Sequence, residues 1–73
     1  MDDSIKAFAG SDTGFARWLQ QVNDHIRELS TMTWQQFEMI PYRELYQSGA
    51  TTDQALAALA AKDPLFAAYY QNR

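Results

Sequence analysis

The stretch Phe15-Ala16-Arg17-Trp18-Leu19-Gln20-Gln21-Val22-Asn23-Asp24-His25-Ile26-Arg27-Glu28-Leu29 sets the architecture of this chain. Phe15, Trp18, Leu19, Val22, Ile26 and Leu29 recur at offsets of 3, 4, 7, 11 and 14 from the first, which is one stripe on a 3.6-residue spiral. Arg17, Gln20, Asn23, Asp24 and Arg27 fall to the wet side. Ser11, Asp12 and Thr13 stand just ahead and offer oxygens to the orphan amides of a first turn. The helix should end near Ser30. Each large ring covers about 150–250 Å², so two rings on so short a stripe imply a broad face packed against several neighbours.

Downstream, Thr33-Trp34-Gln35-Gln36 has the Thr-x-x-Gln form of a capping box, so a short helix is expected to start there. It should stop near Met39, because Pro41 disfavours a helical Ile40 and lacks an amide hydrogen. The same proline suits the first turn of another helix, Pro41 to Ser48, with Tyr42, Leu45 and Tyr46 on one side and Gly49 as a left-handed stop. Thr51-Thr52-Asp53-Gln54 opens an alanine-rich helix with Leu56, Leu59 and Ala60 inward and Lys62 at its negative end. Asp63-Pro64 restarts the chain as cap and first-turn proline for a last helix bearing Leu65, Phe66, Tyr69 and Tyr70. Upstream, residues 1–10 read either as a turn of helix capped by Asp2 or Asp3, bearing Ile5 and Phe8 and ended by Gly10, or as a loose end. No segment alternates with period two, and no Asn-Gly or Asp-Gly turn occurs. The expected fold is all-α: one domain over residues 1–73, a compact small bundle of one long helix and three or four short ones.

Composition bounds the function. The 73 residues are 47% hydrophobic and 14% aromatic, too apolar for a disordered tail. A chain this short buries only about 60% of the surface its unfolded form exposes, so a partner or second copy would add to a thin stability margin. The absence of cysteine removes disulfides and thiolate metal sites. Met1-Asp2-Asp3-Ser4-Ile5-Lys6 places acids where a signal peptide needs positive charge, and no apolar run reaches membrane-spanning length, so a cytoplasmic protein is expected. The net charge of −3 does not favour nucleic acid as a partner.

Few residues invite chemistry. His25, flanked by Asp24 and Glu28, outlines half of a helix-borne metal site, but the chain has no second histidine to complete it. Ser and Thr sit mostly at helix starts, where capping accounts for them, and Gly10, Gly14 and Gly49 form no phosphate-cradling loop. No catalytic residue, metal or cofactor is assigned, and no enzyme activity is expected. Pro41 to Ala61 has the outline of a DNA-binding helix-turn-helix. Its second helix, however, carries no Arg or Lys before Lys62 to hold phosphates. The ring content exceeds what so small a core encloses easily. Ordinary boundary packing accounts for some of it, whereas contact surfaces are enriched in Tyr, Trp, Met and Arg. Tyr42, Arg43, Tyr46, Tyr69 and Tyr70 are the residues that a binding face would use.

The pattern Phe15-x-x-Trp18 through Val22-Asn23, then Pro41-Tyr42-Arg43-Glu44-Leu45-Tyr46-x-x-Gly49-x-Thr51-Thr52-x-x-Ala55, resembles a group of short uncharacterised bacterial and phage-encoded helical proteins. The resemblance covers about residues 15 to 60. In that group an Asp-Leu-x-Asp stretch often precedes the tyrosine, where this chain has Gln36-Phe37-Glu38-Met39. It implies a free-standing helical domain and supplies no activity. The functional expectation is therefore an interaction module that binds another protein, or a second copy of itself, through an aromatic surface. A nucleic-acid-binding helical module is the alternative.

Overall fold

Helix boundaries follow from local capping chemistry. In the computed structural model, which describes residues 3–37 and 39–72, the chain forms α1 (Asp3–Ala9), α2 (Thr13–Leu29), a 3₁₀ turn (Trp34–Gln36), α3 (Tyr42–Gln47), α4 (Thr52–Lys62) and α5 (Pro64–Gln71). Among the described residues there is no strand. The fold is the expected all-α bundle, with one long helix and four short ones. Asp12 opens α2 by accepting from the Phe15 amide at 2.9 Å. The Ser30 hydroxyl closes it by donating to the Ile26 carbonyl at 2.8 Å. At α4, Thr51 Oγ1 accepts from the Gln54 amide and Gln54 Oε1 from the Thr51 amide, the reciprocal box its sequence announces. Asp63 Oδ1 takes both the Leu65 and Phe66 amides at the start of α5. Gly10 and Gly49 end α1 and α3 with φ of +66° and +87°, a region that glycine enters without steric cost.

Three local expectations need correcting. The Thr33–Gln36 box forms its side-chain arm, with the Thr33 amide donating to Gln36 Oε1 at 2.8 Å, but yields a single 3₁₀ turn instead of a helix to Met39. Phe37 leaves helical space at φ −113°, ψ 55°, and its fully buried ring meets Phe66 edge-on. Pro41 lies just outside α3, as its N-cap, and not in the first turn. Asn23 is buried, not on the wet side of α2: its Oδ1 accepts the Trp34 amide at 3.0 Å. The opening stretch is a helix from Asp3, with Ile5 wholly buried.

The stripe on α2 is the centre of the core. Phe15, Leu19, Val22 and Ile26 are fully buried, with Trp18 at their edge. α1 lies against α2 through Ile5 and Ala9, and α4 through Ala55, Leu56 and Leu59. α5 rests on α4 and buries Phe66. Burial of one such side chain contributes about 1.5–3 kcal/mol relative to exposure. Loss of two therefore approaches the whole net stability of a domain this size, about 4–11 kcal/mol. The Trp18 indole donates to the Ala50 carbonyl at 3.0 Å and ties the α3–α4 turn to α2. Gly14, in the first turn of α2, marks a close approach, because a Cβ there would run into the Tyr46 hydroxyl. No helix among the described residues is long and apolar enough to cross a membrane.

Candidate interaction site

The aromatic side chains in contact with one another sort into two groups. In the first, Phe8 of α1, Phe15 and Trp18 of α2, Trp34 of the 3₁₀ turn, and Tyr42 and Tyr46 of α3 touch in sequence. Centroids lie 5.1–6.1 Å apart, mostly in the tilted or edge-on arrangements that ring quadrupoles favour. Arg43 completes this group. Its guanidinium lies over the Phe15 ring at 4.7 Å and the Phe8 ring at 5.7 Å, and Nη2 donates to the Phe8 carbonyl at 2.8 Å. That carbonyl is in the last turn of α1, where helices leave acceptors unsatisfied. Arg43 thus fastens α1 to α3. The second group joins Phe37, Phe66 and Tyr70 beneath α5.

The five residues expected to form one binding face are divided between these groups and the surface of α5. Tyr42 is a correction: it is only 3% exposed, and its hydroxyl donates to the Trp34 carbonyl at 2.8 Å inside the core. Burial pushes its phenol far above the ordinary value of 10.0. Arg43 and Tyr46 are half-buried and committed to the first ring group. Tyr70 is half-buried and stacks on Phe66. Tyr69 reaches solvent, and so does Leu65 one turn before it, at 39% and 57% exposed. An i, i+4 pair lies side by side on a helix surface, so α5 carries a small outward apolar face.

Leu65 was missed as a surface residue because spacing alone placed it with Phe66 among the apolar positions of α5. Phe8 and Met39 are likewise exposed, at 44% and 61%. Beside Phe8 lies a half-open hollow of about 280 Å³ lined by Phe8, Trp34, Gln35, Ile40 and Tyr42. Trp34 is 7% exposed, and its Nε1–H, buried, has no acceptor. No feature of the linear sequence distinguished this indole from that of Trp18.

His25 is exposed, with Nδ1 3.7 Å from Glu28 Oε2, while Asp24 accepts from the Gln20 side chain at 2.8 Å. Among the described residues no three His, Cys, Asp or Glu side chains gather as metal ligands. At the start of α4, which a helix-turn-helix would turn towards bases, Thr51 Oγ1 and Gln54 Oε1 each accept a backbone amide in the capping box. No protein-family model, curated protein or solved structure matches this chain.

Proposed function

We propose that this chain is a small protein-binding module that docks through the outer face of α5, with Leu65 and Tyr69 as its apolar contacts. The exposure of these two large side chains one turn apart carries the reading. The inner side of the same helix is already anchored by Phe66 and by the Tyr70 stack, so the outward pair is surplus to the fold. Ala68, three residues after Leu65 on the same helix, is exposed and small, which lets a partner backbone approach closely. Tyrosine is among the residues enriched at the positions that dominate interface energies.

The test uses the Leu65→Ser/Tyr69→Ser variant beside the wild-type chain. Light scattering first shows whether the wild type self-associates, and affinity capture from the native host then supplies any heterologous partner for a purified binding assay. The reading expects a complex that the wild type forms and the folded double variant loses. A complex of unchanged affinity in the variant, or a wild type that stays monomeric and captures nothing, would remove it.

A further inference from the structure

We infer that the hollow beside Phe8 is a binding site for a small neutral ligand with an apolar body and one carbonyl acceptor, received by the Trp34 Nε1–H. Two independent features of the same residue carry this. Trp34 forms part of the wall of the hollow, and its indole donor is buried with no partner. Trp18, by contrast, donates its Nε1–H to the Ala50 carbonyl at 3.0 Å. Native structures leave few buried polar groups unpaired, and those few call for an explanation such as a ligand or a trapped water.

The wall dictates the ligand class. Among the described residues the wall is formed by Phe8, Trp34, Gln35, Ile40 and Tyr42, none of which carries a formal charge, so these side chains suit a neutral ligand. The Tyr42 hydroxyl already donates to the Trp34 carbonyl, which leaves the indole as the buried donor in search of an acceptor. A cavity of about 150 Å³ takes benzene, so the hollow of about 280 Å³ holds one ring or branched aliphatic group with a short polar substituent. This volume lies just below the range of pockets that enclose drug-sized molecules. Because the indole nitrogen has no contact with solvent, an acceptor reaches it only when a wall side chain shifts. Phe8, in the last turn of a seven-residue helix and 44% exposed, is the apolar wall residue with the least burial to lose.

Indole ¹H–¹⁵N resonances test this on the intact chain, with Trp18 as the internal reference. The probes are N-methylbenzamide, a ring with a carbonyl acceptor, and toluene, the same ring without one. N-methylbenzamide is expected to move the Trp34 Nε1–H resonance downfield saturably at millimolar concentration and slow its exchange with water, while Trp18 stays in place. Toluene, which offers no acceptor, should not produce that downfield shift. The Phe8→Ala variant should raise the exchange rate of the Trp34 Nε1–H in the free protein. Leu65→Ser/Tyr69→Ser should bind N-methylbenzamide as the wild type does, since α5 contributes nothing to the wall. The inference is overturned if neither probe gives a saturable shift. It is also overturned if both move the N–H downfield equally.

Discussion

Substituting Asn23 by alanine would expose how α2 holds the 3₁₀ turn. Asn23 is 1% exposed, and its Oδ1 accepts the Trp34 amide at 3.0 Å in buried surroundings. Removing the carboxamide strands that amide without water, at about 1–3 kcal/mol. The vacated volume adds a cavity term of about 24 cal/mol per Å³ of whatever space the neighbours fail to close. A total near 2–4 kcal/mol is expected, a large share of the ~4–11 kcal/mol available to a chain of this length. At roughly 4–8 °C per kcal/mol for a domain of this size, the melting temperature should fall by at least about 8 °C. Urea unfolding followed by tryptophan fluorescence gives the free energy, and amide hydrogen exchange at Trp34 locates the loss. An Asn23→Asp variant adds a sign. The carboxylate is desolvated, so its folded pKa rises above the unfolded value of about 3.9, and the variant should be most stable below that pH and lose stability as pH rises. A loss below about 0.5 kcal/mol for Asn23→Ala, or a larger loss with unchanged exchange at Trp34, would refute the reasoning.

Other consequences can be measured on the same footing. Gly14→Ala should destabilise the wild type by about 1 kcal/mol, because its Cβ runs into the Tyr46 hydroxyl. In a Tyr46→Phe background the same change should be neutral or stabilising, as Ala is the better helix former by up to about 1 kcal/mol. A double-mutant cycle reads that coupling. Tyr42 has a folded pKa raised by burial above its unfolded value of 10.0. Its contribution is therefore complete below pH 10.0 and is lost as pH rises above that value towards the folded pKa. Alkaline unfolding should show this loss, and Tyr42→Phe should diminish it while weakening the fold by about 1 kcal/mol for the hydrogen bond to Trp34. Asp63→Ala removes the acceptor of two α5 amides and should cost about 1 kcal/mol, visible as faster exchange at Leu65 and Phe66.

What the sequence made legible was local. Asp12, the Thr51/Gln54 box, Asp63-Pro64 and Gly49 act within three residues of themselves, so their chemistry is written in neighbouring letters. The α2 stripe was legible because burial on one face of a helix leaves a period. That period also contained Asn23, four residues after Leu19 and three before Ile26, and only its polarity placed it with the wet residues. Its partner is the amide of Trp34, eleven positions away, which no local pattern displays. Tyr42 was misplaced for the same reason. A phenol finding a carbonyl eight residues back and a guanidinium reaching the end of α1 are tertiary contacts. Tyr69 was legible as a surface ring, whereas the hollow and its unpaired donor arise only when α1, the 3₁₀ turn and α3 meet.

The urea midpoint of the Leu65→Ser/Tyr69→Ser variant tests most directly whether α5 presents a face that the fold itself does not need. A face surplus to the fold predicts a loss of no more than about 1 kcal/mol, the scale of surface substitutions and helix propensity. A loss of about 3 kcal/mol or more, the scale of emptied core positions, would make these side chains part of the core and contradict the docking face with them.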